Sequence, residues 1–176
     1  DACLNVRRHR NTIERVVIDN CLFGIDLKQS DDNIVRDNRI SSKPNELGTR
    51  GDGLRLWYSN RNHIEGNQII DSRDMVAWYS NKNIFRENLG RRSRYSIHFM
   101  FASDNVIEHN RFYDNAVGIY FMYTEGGAAR NNIISHATGA TGMGIGFKEA
   151  SGTIIENIEI IYCGIGIGSD LSPVQP

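Results

Sequence analysis

The sequence predicts an all-β chain built as a parallel β-helix, a solenoid in which each coil pairs its backbone with the coils on either side. Three observations lead there. Asparagines five residues apart recur every 21 or 22 residues, as Asn62 and Asn67, Asn83 and Asn88, and Asn105 and Asn110, with Asn33 and Asn38 one longer step upstream. An alternating apolar pair recurs in step with them, from Ile25 and Leu27 through Leu54 and Leu56 to Ile97 and Phe99. The composition agrees: 17 Gly, only 3 Pro and asparagine at about one residue in ten suit a chain that turns often, not a helix bundle.

Each part of the repeat has a physical reason. Period-2 alternation means strands, and Gly and Asn at fixed offsets mean the corners between them. A unit of 21–22 residues is too short for a helix pair and carries no leucine-rich or WD signature, so stacked strand-turn coils remain. Asparagine suits the corners because it tolerates the left-handed region and because stacked amides can form an internal ladder. The first apolar position reads Ile25, Leu54, Met75, Ile97, Ile119, Ile145, Ile165. Two residues on, it reads Leu27, Leu56, Ala77, Phe99, Phe121, Phe147, Ile167, and the stretches Leu54 to Ile145 and Leu56 to Phe147 of these columns are expected in the core. From the first apolar position to the closing asparagine is 13 residues in the copies from Ile25 to Ile119, but 12 from Ile145 to Asn157. Extra length is confined to Lys43–Arg50 and His136–Gly142, at the same corner of the repeat. The expectation is a single domain over 1–176 with about seven coils, spaced ~4.8 Å apart. Leu4-Asn5-Val6 before Asn11 reads as the second half of a coil, which suggests a longer solenoid truncated at both ends.

Length and charge bound the function. At 176 residues, 40% hydrophobic and a net charge of −1, the chain reads as one soluble domain. It lacks the concentrated positive surface of a nucleic-acid binder. No apolar stretch approaches the ~20 residues of a membrane span, and no signal peptide opens the sequence. Cys3, Cys21 and Cys163 suggest neither a disulfide framework nor a metal cluster; Cys21 and Cys163 read as small buried apolar residues.

Three strings are more specific than the repeat: Asp71-Ser72-Arg73-Asp74-Met75-Val76-Ala77-Trp78-Tyr79-Ser80, Arg94-Tyr95-Ser96-Ile97-His98-Phe99-Met100-Phe101, and Val117-Gly118-Ile119-Tyr120-Phe121-Met122-Tyr123. Together with Gly144 to Glu149 and Asp170 to Pro173, they resemble the NosD family of periplasmic accessory proteins in nitrous-oxide reductase maturation. The resemblance runs over most of the chain and corresponds to the central part of a longer protein. It implies a right-handed β-helix in the periplasm that binds copper. It also implies work beside an ABC transporter permease and ATPase, a copper lipoprotein chaperone and nitrous-oxide reductase. Phe101-Ala102 departs from the Tyr-Ser that the family usually has there.

Strand alternation places His98 and Met100 on one face. The column of Met100 reads Lys28, Trp57, Trp78, Met100, Met122, Lys148, so Met100 and Met122 are expected to be neighbours. Two thioethers and an imidazole suit Cu(I), held transiently by His98, Met100 and Met122. The plainer alternative is an apolar ladder, and Trp57, Trp78, Met100 and Met122 also suit a partner-docking surface. A rival reading takes Asp52, Asp71, Asp74, Arg73 and Arg94, grouped near one corner, as the site of a polysaccharide lyase, hydrolase or epimerase, or of a carbohydrate-binding module. Charged corners of a solenoid more commonly form ion pairs, here Arg73 with Asp74 or Asp52, so a non-catalytic accessory role is expected. Glu65, Glu87 and Glu108 belong to the repeat, and His63 and His109 should face solvent. His136 and Met143 flank the second long loop, where scaffolds often bind. The run Gly142-Met143-Gly144-Ile145-Gly146 has no helix signal after it, so tight corners explain it better than a phosphate loop.

Overall fold

Runs of three to six alternating residues cannot bury a face alone, so the chain must stack them. The computed structural model describes residues 2–170 and folds them into 22 strands in three parallel sheets. The first sheet holds Ala2–Val6, Phe23–Lys28, Leu54–Trp57, Asp74–Trp78, Tyr95–Met100, Val117–Met122, Met143–Lys148 and Ile165–Asp170, in that order. The second runs from Thr12–Glu14 to Ile154–Glu156 and the third from Val17–Cys21 to Glu159–Ile161, each with seven strands. Seven coils each give one strand to every sheet and Ile165–Asp170 adds an eighth to the first, which is the expected β-solenoid.

The core is the three inward faces. Ile25, Leu54 and Met75 follow one another in register, as do Ile97, Ile119 and Ile145, and all six are fully buried. Leu27, Leu56, Ala77, Phe99 and Phe121 form the second column, with Phe147 half-buried at its end. Phe121 stacks between Phe99 at 5.3 Å and Phe147 at 5.2 Å. Where strands of the first sheet press on the third, the column reads Gly24, Gly53, Gly118, Gly144; a Cβ on Gly118 would lie 2.6 Å from Ile134. Gly144 and Gly146 therefore serve close approach within a strand. Of that run only Gly142 sits at a corner, with positive φ, which corrects the sequence expectation.

Two asparagine ladders fix the corners. Asn33, Asn62, Asn83 and Asn105 form one, and Asn38, Asn67, Asn88, Asn110 and Asn132 the other. From the second member of each ladder on, Oδ1 accepts twice from the preceding coil: Asn88 Oδ1 takes the Asn67 backbone N–H at 3.0 Å and its Nδ2–H at 3.1 Å. The left-handed backbone, however, falls on the residue before each ladder asparagine, such as Lys82, Glu87 and His109. That placement explains the short spacing to Asn157. Asn157 has φ 53 and takes the left-handed site, while Ile158 occupies the ladder position.

Two further expectations are corrected. In the last strand Ile145 pairs with Ile167 and Phe147 with Ser169, so Ile165 aligns with Met143 instead. A period-2 pattern looks the same after a slip of two, so alternation alone could not set this register. Cys3 and Cys21 form a disulfide, their Cα atoms 5.9 Å apart, and Cys163 stays free. Their separation of 18 residues is just short of one coil, which brings the chain back beside itself.

Two stability outcomes follow. Phe99→Ala should lower the unfolding free energy by about 3–5 kcal/mol, measured by denaturant titration. Asn88→Ala strips the acceptor from two buried donors of Asn67 and should lower it by about 2–4 kcal/mol in the same assay.

Candidate functional site

The outward face of the first sheet carries two columns. One is Lys28, Trp57, Trp78, Met100, Met122 and Lys148, in direct register across all six strands. Met100 and Met122 are therefore pairing partners, both half-buried. The second column, two residues upstream, is Asp26, Arg55, Val76, His98 and Tyr120. A one-residue register slip does occur here, between Asp74 and Val76 against Tyr95 and His98. It lies upstream of His98, and Ile97 to Met100 pair regularly with Ile119 to Met122. His98 and Met100 thus share the outward face, as alternation predicts. The slip occurs where Asp74 and Ser96 stand at the position that glycine holds in neighbouring coils.

His98 is 7% exposed, its ring between Tyr95 at 4.8 Å and Tyr120 at 5.8 Å. Burial pushes its pKa down to about 4, against the opposing charge of Asp74, so the imidazole is neutral at pH 7. Nδ1 lies 4.0 Å from an Asp74 carboxylate oxygen, while Nε2 is buried without a hydrogen-bond partner. A paired thioether couple beside a neutral imidazole with an orphaned ring nitrogen is a soft donor set, and it fits Cu(I). Among the described residues no three His, Cys, Asp or Glu side chains gather as a metal site.

A feature missed at the sequence level lies along the next corner. Tyr58, Tyr79, Phe101 and Tyr123 all have φ near +50 and stack ring on ring at 4.8, 5.1 and 4.7 Å. Trp57 meets Tyr58 edge-on at 4.9 Å, and Lys28 Nζ lies 4.5 Å over the Trp57 ring. The signal was present, since an aromatic residue follows each member of the Trp57–Met122 column. Phe101 keeps the stack at its unusual position. Ala102 does interrupt a serine ladder in which Ser30 and Ser59 donate their backbone N–H groups to the hydroxyls of Ser59 and Ser80.

The charged residues divide into two groups. Asp74, 2% exposed, accepts from Arg94 through both Nε and Nη2 and from the Tyr95 backbone N–H at 3.1 Å. Arg73 Nε lies 4.0 Å from the same carboxylate. Asp52 is buried beside them with Oδ1 lacking a partner, and burial, then the charge of Asp74, pushes its pKa up to about 6. Asp71 is not part of this cluster. It forms a two-pronged pair with Arg92, at 2.7 and 2.6 Å on an exposed corner, which holds its carboxyl below the usual range. His63, His109 and His136 are exposed.

These coils are where the chain can be compared with known proteins. The family described as "Periplasmic copper-binding protein (NosD)" matches residues 41–172. The chain belongs to the NosD family. A search of curated proteins finds no match. The matched span contains the Trp57 to Met122 column, the aromatic stack and the Asp52–Asp74 cluster. The family's description is of periplasmic, copper-binding proteins. A disulfide within the first coil agrees with an oxidising compartment. Among the described residues no helix is long and apolar enough to cross a membrane. Of the string Asp170 to Pro173, Leu171 to Pro173 lie outside the described residues.

The cluster makes a pH-dependent prediction. Asp52 binds its proton more tightly folded, at about 6, than unfolded, at 3.8, so its contribution to stability is full below pH 4 and lost as pH rises through 6. Asp52→Asn removes that loss. The variant should exceed wild type by ~1–3 kcal/mol in urea unfolding at pH 7.5, and the gain should vanish at pH 3.5.

Proposed function

We propose that this NosD-family chain is a non-catalytic accessory protein that receives and passes on Cu(I) in the periplasm during copper-site maturation of nitrous-oxide reductase. Its partners in this reading are an ABC transporter, with permease and ATPase, a copper lipoprotein chaperone and the reductase itself. The observation that supports it most is the family match over residues 41–172, with the Met100–Met122 pair and His98 inside it. Copper is the cargo, and Met100, Met122 and His98 would hold it. Two thioethers and an imidazole without a thiolate give a weak site, as transfer requires, and strand residues keep it rigid. Trp57 and Trp78 extend the same column as an apolar surface for a partner.

The enzymatic alternative draws less support. The Asp74 carboxylate is already taken up by Arg94 and the Tyr95 N–H, in a buried position no polymer chain reaches. Asp52 alone is a carboxyl with protonation near neutral pH. A Cu(I) competition titration separates these readings. Met100→Ala and Met122→Ala should each weaken binding at least tenfold, and equal affinity in all three proteins would remove the copper site. Cleavage of a uronate polymer by the complete protein, lost on changing Asp52 or Asp74, would favour the enzyme instead.

A further inference from the structure

The outward face of the third sheet is built unlike that of the first. One column reads Arg39, Gln68, Leu89, Arg111 and the next reads Ser41, Ile70, Arg91, Tyr113, both in strand register. Three guanidinium groups, two polar side chains, two aliphatic ones and a tyrosine thus share this face over four coils. Two grooves that share Leu89 cover this face, one of about 640 Å³ and one of about 840 Å³. The Lys43–Arg50 corner walls the first groove and contributes Pro44 and Arg50 to it. It is fastened there, because Arg50 donates to the Asn45 carbonyl at 3.0 and 3.2 Å and to the Arg92 carbonyl at 3.3 Å.

The charges on this face are unbalanced. Asp71 is held by Arg92, and Asp114 by Arg91 at 2.8 Å, while Asp19 accepts from the Ser41 hydroxyl. Arg39 and Arg111 are exposed, and among the described residues neither side chain has a hydrogen bond, ion pair or ring contact. A chain of net charge −1 thus presents two unpaired guanidiniums on one column, with Gln68 and Leu89 between them.

We propose that this face binds an extended acidic peptide segment of a partner protein. Arg39 and Arg111 are three coils apart, or ~14 Å, and an extended chain rising ~3.3 Å per residue covers that in four residues. Carboxylates at positions one and five, on the same side of a strand, would meet Arg111 and Arg39 in that order, and an apolar residue at position three, ~6.6 Å along, would lie nearest Leu89, ~4.8 Å from Arg111. Leu89 and Ile70, which line the first groove together, offer an apolar contact that suits a peptide side chain, and an acidic polysaccharide is the rival occupant that the test separates. This site is on a different sheet from Met100 and Met122 and stands independently of the copper reading.

The test is fluorescence anisotropy with a labelled pentapeptide that has glutamate at both ends, leucine at its centre and serine between. Controls are the same peptide with terminal glutamines and a labelled oligogalacturonate. Wild type should bind the glutamate peptide at least tenfold more tightly than the glutamine one, and 0.5 M salt should remove the difference. The double variant Arg39→Gln, Arg111→Gln should lose at least tenfold, with an unchanged thermal melt because neither side chain supports the fold. Met100→Ala should bind the peptide like wild type, and the double variant should keep wild-type Cu(I) affinity. Equal binding of both peptides, or an undiminished affinity in the double variant, would overturn the proposal. Binding of oligogalacturonate through the same arginines, without the peptide, would reassign the groove to polysaccharide.

Discussion

Every coil has to place buried corner amides against the coil beside it, and the asparagine ladders are how this chain does so. An Asn side chain that accepts both the backbone N–H and the amide of its neighbour removes two unsatisfied donors from a dry interior. The bond forms only when successive coils repeat the same corner geometry. Once the corners are locked, strand registers follow, and with them the outward columns. Met100 lies beside Met122 because Asn83, Asn88, Asn105 and Asn110 hold the two coils at one phase. Length can vary only at the corner without a continuous ladder, and both long loops are there.

Within that lattice the coils that carry the candidate site are those that break its rules. Glycine lets the first sheet press on the third in most coils, whereas Asp74 and Ser96 occupy that position in two adjacent ones. The sheet answers with a register slip, and the Asp74 carboxylate takes the Tyr95 N–H that regular pairing would have used. Arg94 and Arg73 then compensate the buried charge. This arrangement brings His98 under Asp74 and between two tyrosine rings. A buried ionic cluster is a weak source of stability, and this one spans successive coils inside the family-matched span.

Much of the fold was legible in the sequence because the repeat states it many times over. Seven copies of an apolar pair fixed the strands, the core and the outward columns, including the neighbouring methionines. Legibility failed where a single copy had to be interpreted. Ile165 and Ile167 fit either register equally well, and Asn157 took the backbone site beside the ladder rather than the ladder itself. Cys3 and Cys21 lie in one coil, so no second copy signalled that they meet. Of the acidic corner, Asp52, Asp74, Arg73 and Arg94 do come together. Asp71, three residues from Asp74, turns away to Arg92 because a left-handed residue at the corner reverses direction.

The stacked rings of Tyr58, Tyr79, Phe101 and Tyr123 each sit on a left-handed backbone that bulky residues rarely adopt. Glycine or asparagine would satisfy that corner more cheaply, so the aromatic identity reflects what the rings do together. Clamped between its neighbours, each ring has already given up its rotamer freedom. Whatever docks along this strip meets a surface that needs no ordering on contact, and the entropy normally surrendered when flexible side chains settle into an interface has been lost in folding instead.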